Sequence, residues 1–146
     1  MAQNLNQPVE TGRQLLRHHR NCYHDFWKWS HDTVATAILL QEMQTVMGWK
    51  MKVPPRINAQ EGPNMRSLAN FPMQGNGSEM LRVAVIYAHH LGVEICATVH
   101  DALLIQAPLD RIDKAALDTQ QAMEEASELI LNGFRPGSYT QRTRPT

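Results

Sequence analysis

The chain has 146 residues, 14 Lys and Arg against 14 Asp and Glu, and 42% hydrophobic content, which fits one domain or a substantial piece of one. Zero net charge argues against a freestanding nucleic-acid-binding domain, and no apolar run approaches the roughly 18 residues that a membrane span needs. The start, MAQNLNQPVE, lacks the basic and apolar regions of a secretory signal, and Cys22 and Cys96 are too few for a disulfide framework or a Cys-rich zinc site, so a reducing cytoplasm is the expected location.

Charge is unevenly spread. Residues 1–66 carry Lys or Arg at 13, 17, 20, 28, 50, 52, 56 and 66 against acids at 10, 25, 32, 42 and 61. Residues 101–130 hold half of all the acids, opposed only by Arg111 and Lys114. One face turned to phosphate and another to water would produce this pattern, and so would ordinary solvated surface.

Residues 1–10 read as a flexible start. Thr11 and Gln14 then have the spacing of a capping box, in which each side chain meets an unpaired backbone N–H. Leu15, Cys22, Phe26, Val34, Ile38 and Leu39 recur at mostly helical intervals. They predict one long helix to about residue 43, or two with a bend near residues 30–32. Tyr23, Phe26, Trp27 and Trp29 crowd this stretch, and their apolar neighbours favour core packing over stacking on bases.

Around Gly48, residues 45–53 alternate as a short hairpin closed by Pro54 and Pro55. After a loop, a second helix is expected from about residue 64 to 91, stopped by Gly92 at the usual C′ position. Pro72, Gly75 and Gly77 predict a kink or break inside it. Val93, Ile95, Ala97 and Val99 alternate with polar neighbours as a half-buried strand, and residues 102–107 form a second strand. His100 and Asp101 fall at the tip between them. Asp110 is placed to cap a last helix whose Ile112, Ala116, Met123, Ala126 and Ile130 form one stripe, ended by Asn132 and Gly133. The expected organisation is a flexible 1–10, one α+β domain over 11–132 with helices packed on a small antiparallel sheet, and a flexible tail over 133–146.

Two constellations carry chemistry. Asp101 at a strand turn offers carboxylate oxygens on rigid backbone, which suits a hard cation such as Mg²⁺. Asp is also favoured at any chain reversal, and spacing alone leaves both readings open. Arg66, Asn70 and Gln74 lie four residues apart, so a helix places them on one face. Arg meets phosphate while Asn and Gln meet base edges or sugar oxygens, and a plain solvated stripe would look the same. The seven histidines lack the close pairing and third ligand of a zinc site, and surface or packing roles fit them better.

Taken together, Arg66-Ser-Leu-Ala-Asn70-Phe-Pro-Met-Gln74-Gly75 and the later Val99-His100-Asp101-Ala102 resemble the last two conserved regions of family A DNA polymerases. That family places an Arg-x3-Asn-x-Pro-Met-Gln-Gly helix before a palm hairpin bearing His-Asp, usually His-Asp-Glu. The similarity extends from about Leu15 to Ile130, with the hairpin over 45–53 matching the segment between fingers and palm. The resemblance implies that Asp101 is one of two palm aspartates holding a Mg²⁺ pair and that His100 lies near the primer terminus. Arg66, Asn70 and Gln74 would contact the primer–template minor groove and sugar–phosphate edge. The implied reaction is in-line attack of a primer 3′-hydroxyl on the α-phosphate of a deoxynucleoside triphosphate.

Three departures qualify it. Ala102 stands where many relatives have Glu. The strand with the other metal-binding Asp and the fingers helix that grips the triphosphate have no counterpart here. Residues 133–146 do not read as the family's closing strand. The expectation is therefore a partial palm domain, clipped at both ends, inactive unless an upstream polymerase polypeptide completes it. The alternative is a non-catalytic module that binds primer–template DNA or another protein.

Overall fold

The computed structural model describes residues 9–55 and 62–137. The elements run α1 (Val9–Cys22), α2 (His24–Leu40), β1 (Glu42–Gln44), β2 (Lys50–Lys52), α3 (Met65–His90), β3 (Glu94–Val99), β4 (Ala102–Gln106) and α4 (Ile112–Ile130). This is the expected α+β arrangement, with two small antiparallel sheets, β1-β2 and β3-β4. Residues 1–8 of the expected flexible start and 138–146 of the expected tail lie outside the described residues. Two compact units are present: Met1–Met43 with Met51–Asn70, and Gln44–Lys50 with Phe71–Thr146.

In the first unit the bend expected near residues 30–32 is instead a one-residue break at Tyr23. Asn21, Cys22 and Tyr23 all favour helix weakly, so the break falls there rather than at the more distant Ser30. The break is mild, because Tyr23 N–H still donates to His19 O at 3.0 Å and Trp27 N–H to Tyr23 O at 3.1 Å. Thr11 lies inside α1, so the capping box expected with Gln14 does not form the helix start.

The aromatic group does not enter a core. Tyr23, Phe26 and Trp29 are 58%, 45% and 41% exposed. These rings pack on one another and on polar α1 side chains. Trp27 Nε1 donates to His19 Nδ1 at 3.0 Å, and the Arg20 guanidinium lies 4.9 Å from the Trp27 ring centre. Buried apolar residues of this unit are Ala37, Met43, Val53 and Leu68.

The second unit is built on the later part of α3, the β3-β4 hairpin and α4. Ala88, Val93 and Ala122 are buried together, with Tyr87, Ile95 and Ile105 packed against them. At the end of α3, Val93 N–H reaches Ala88 O and Gly92 N–H reaches His89 O, both at 3.0 Å. That pair of bonds is a Schellman closure, and Gly92 takes the left-handed φ of 79° that it requires. The last helix starts at Ile112 from an Arg111 N-cap with no side-chain cap, so Asp110 does not cap it. A turn closed by Arg111 N–H to Pro108 O separates Asp110 from the helix axis. At the other end Gly133, at φ 95°, sends its N–H to Glu128 O, as the Asn132-Gly133 pair predicts.

Of the kink or break expected around Pro72, Gly75 and Gly77, the break does not occur: α3 is one helix of 26 residues. Pro72 removes one N–H, yet the Asn76 amide donates to Pro72 O at 2.7 Å and the turns on either side persist. Gly75 has a packing role instead. A Cβ there would lie 2.7 Å from Thr45 Cγ2, so only glycine lets the helix approach the β1-β2 turn this closely.

Candidate nucleic-acid interface

The β3-β4 register pairs Val99 with Ala102, leaving His100 and Asp101 as a two-residue turn. His100 adopts φ 56°, a left-handed conformation uncommon for residues with a side chain. Strand β3 is less buried than its alternation predicts, since Ala97 and Val99 are exposed. A register shift between Ile95 and Ala97 breaks the alternation, and only Ile95 of the strand is half-buried.

The turn borders a groove of about 650 Å³. Gln74, Met73 and Leu81 of α3 line it with His100, Asp101 and Glu124 of α4. Gln74, His100 and Asp101 are therefore brought together, as the paired sequence patterns imply. Asn70 and Arg66 lie on the same helix as Gln74, about one and two turns toward its start, and belong to the first unit.

Arg66, Asn70, Gln74, His100 and Asp101 are all exposed. Among the described residues, none of their side chains is engaged in a hydrogen bond or ion pair. Asn64 takes over the local backbone work at the start of α3. Its side-chain oxygen accepts the Arg66 and Ser67 N–H groups at 3.0 and 3.2 Å, leaving the Arg66 guanidinium unspent. Within the second unit, the unspent donors and acceptors of Gln74, His100 and Asp101 are equipped to meet an external polar surface.

As a metal centre the site is incomplete. Asp101 supplies one exposed carboxylate, and among the described residues no group of three or more His, Cys, Asp or Glu side chains gathers to hold a metal ion. Glu124 shares the groove, with Gln120 Nε2 donating to its Oε1 at 3.0 Å. The donor set present does not build a Mg²⁺ site by itself.

Sequence reasoning missed Glu124, because α4 carries Glu124, Glu125 and Glu128 and nothing in the string says which faces the groove. It also missed a buried contact on α3. Glu79 accepts the Thr45 hydroxyl at 2.5 Å and the Met47 N–H at 3.1 Å, while Asn76 Oδ1 accepts the Val46 N–H at 2.8 Å. The spacing of Phe71, Gly75 and Glu79, four apart, was the available signal for this second face. Beyond α4, Glu128 holds Arg135, raising the guanidinium pKa by hydrogen bonding first and charge second. Pro136 and Gly137 then border the groove.

The family described as DNA polymerase family A matches residues 1–132 in its sequence profile. DNA polymerase I, thermostable, from Thermus thermophilus is 24% identical over 138 residues, covering 90% of this chain and 16% of that protein. DNA polymerase I from Deinococcus radiodurans is 30% identical over 94 residues, 60% of this chain and 10% of that one. A DNA polymerase of Bacillus phage SP01 is 27% identical over 112 residues, 69% of this chain and 12% of that one. Among solved structures, the POL domain of Pol1 from M. smegmatis, in complex with DNA primer-template and dNTP, superposes with a TM-score of 0.73 at 21% identity. That match covers 86% of this chain and 24% of that one. The chain thus spans between a tenth and a quarter of the length of these relatives.

Proposed function

Because the chain belongs to DNA polymerase family A, we propose that it supplies the primer–template-binding helix and one palm carboxylate of a DNA-directed DNA polymerase, in DNA replication or repair. The observation that carries this reading is the meeting of Gln74, His100 and Asp101 at one groove, with all three side chains exposed and unspent.

Each residue has a role that its chemistry permits. The amides of Asn70 and Gln74 donate and accept, so they meet base-edge acceptors and sugar oxygens in a minor groove, while Arg66 meets a phosphate. His100, held out by its left-handed turn, lies beside the primer end. Asp101 is one carboxylate offered to a divalent-metal centre, with Mg²⁺ the ion that the resemblance implies. The described residues do not gather the other ligands, and an upstream polymerase polypeptide is the proposed source of them. Deoxynucleoside triphosphates would bind only in that completed assembly, with primer–template DNA as the shared partner. Within the chain we assign 11–132 as the polymerase-derived part, flanked by 1–10 and 133–146. None of the helices among the described residues is long and apolar enough to cross a membrane, and we place the protein in the cytoplasm.

Co-expression with an upstream polymerase polypeptide carrying the fingers and the missing aspartate strand tests this. The pair should extend a primer in a template-dependent, divalent-ion-dependent way, and Asp101→Ala should abolish extension while leaving DNA binding largely intact. Unchanged extension by Asp101→Ala would remove this residue from the mechanism. A second reading, a non-catalytic DNA-binding or protein-interaction module, is favoured by the single carboxylate at the turn. Primer–template affinity without extension in any reconstituted pair would select it.

A further inference from the structure

We infer that Glu79 is a positioning residue for the DNA-binding face of α3, acting through the β1-β2 turn; this rests on the polymerase reading above. Glu79 is only 6% exposed, an unusual place for a carboxylate, which burial penalises unless its oxygens are satisfied. Both are. One oxygen accepts the Thr45 hydroxyl at 2.5 Å and the other the Met47 N–H at 3.1 Å. The Thr45 oxygen in turn accepts the Trp49 N–H at 2.9 Å, which ties the carboxylate to both ends of the turn.

Four further contacts join the same two elements. Asn76 Oδ1 accepts the Val46 N–H at 2.8 Å. Gly75 is pressed against Thr45, and the Trp49 ring lies 6.0 Å from Phe71 and 5.4 Å from the Arg82 guanidinium carbon. Phe71, Gly75 and Glu79 therefore form a gripped face of α3. Each of the first two sits one residue after a member of the Asn70 and Gln74 stripe, which is about 100° of rotation around the helix.

The grip fixes the roll of α3 about its own axis. Roll decides where Gln74 points, and an error of a few tens of degrees would carry its amide past hydrogen-bonding range. The need for such a device is visible at Pro72, which lies between Asn70 and Gln74 and cannot supply the backbone bond to Leu68 O, weakening the helix there. The clamp takes hold at Phe71 and again at Gly75, Asn76 and Glu79, on both sides of that weak point. Glu79 does not face the groove that Gln74 and Asp101 line, so its effect on DNA is transmitted through helix orientation.

The test uses the full chain and a short primer–template duplex, with affinity followed by fluorescence anisotropy across a salt series. Glu79→Ala and Thr45→Val should each weaken binding by about tenfold, the scale of one lost charge-assisted hydrogen bond. The slope of log affinity against log salt should stay at the wild-type value, because no phosphate contact is removed. The double variant should bind no worse than either single one, since both cut the same link. Thr45→Ser, which keeps the hydroxyl, should restore binding, and circular dichroism should show the helices intact in each variant. Hydrogen exchange on the wild-type chain gives a check that needs no variant: the Met47 amide should be protected well beyond an open turn. Wild-type affinity in Glu79→Ala and Thr45→Val, or an unprotected Met47 amide, would overturn the positioning role alone. Failure of the wild-type chain to bind primer–template at low salt would overturn the polymerase reading and this inference with it.

Discussion

Gly75 and Thr45 approach so closely that a Cβ on the glycine would lie 2.7 Å from Thr45 Cγ2. Thr45 cannot give way, because its β-branched side chain is held by Glu79 at 2.5 Å and by the Trp49 N–H at 2.9 Å. Gly75→Ala should therefore destabilise the chain by about 1–3 kcal/mol, as overpacking does, despite the better helix propensity of alanine. Gly77→Ala is the matched control. Nothing lies within 4 Å of a Cβ at Gly77, so that change should stabilise by about 0.5–1 kcal/mol. Urea denaturation of the two variants side by side checks both signs, and a Gly75→Ala midpoint at or above wild type would refute the close approach.

Pro72 sits in the eighth position of α3, past the first turn where proline is tolerated. Its missing N–H leaves the Leu68 carbonyl without its helical partner, and Leu68 is buried. Pro72→Ala should raise stability by roughly 1–3 kcal/mol, somewhat less than the full helix-interior cost of proline because the structure has already adapted to it. Thermal melts followed by circular dichroism would register this as a higher midpoint, with helix content unchanged. A lower midpoint would mean that the proline ring contributes packing that outweighs the lost bond.

Much of this architecture is legible in the string, and the misses share a cause. Gly92 and Asn132-Gly133 mark helix ends because left-handed backbone is a local demand that few residues meet. His100-Asp101 marks a hairpin tip for a related reason: it is the short polar interval between two strand-like runs. At Pro72 the expected kink or break does not become a break, and α3 just past the proline is contacted by Thr45, Val46 and Met47, some thirty residues away in sequence and invisible to a local rule. Ala97 and Val99 mislead in the same way, because the register shift beside Cys96 is a property of the strand pair. The exposed Tyr23, Phe26 and Trp29 show that helical spacing predicts a shared face without saying what covers it. At the site, periodicity aligned Gln74 with Arg66 and Asn70. Only the family pattern joined that stripe to Asp101, because no local rule relates a helix to a turn that begins 26 residues past Gln74.

His100 offers a stability test of the turn itself. Its φ of 56° costs a residue with a side chain roughly 1 kcal/mol, which glycine does not incur. His100→Gly should keep or raise the unfolding free energy by up to about 1 kcal/mol, whereas Gly92→Ala, at φ 79° in the Schellman closure, should lower it by about 1 kcal/mol or more. If the reconstituted polymerase pair carrying His100→Gly also loses primer extension while the chain itself is no less stable, the imidazole has a role beyond the fold. Retained extension would assign His100 to the turn alone.

In the proposed reading, Arg66 and Gln74 would make two different kinds of contact from one helix. Both are exposed, and neither side chain is engaged among the described residues, so truncation should leave stability within about 0.5 kcal/mol. Their effects on primer–template binding should differ in form. Arg66→Ala removes one cation from a phosphate and should reduce the magnitude of the salt slope by about one, weakening binding alike on every sequence. Gln74→Ala removes a neutral hydrogen-bonding group and should weaken binding by about five- to tenfold with the slope unchanged. Anisotropy titrations over a range of salt concentrations distinguish the two. If Gln74→Ala changed the slope and Arg66→Ala did not, the assignment of phosphate and groove contacts along α3 would have to be reversed. If neither altered affinity, the stripe would be an ordinary solvated face, and the polymerase reading would lose the part of its interface that this chain supplies.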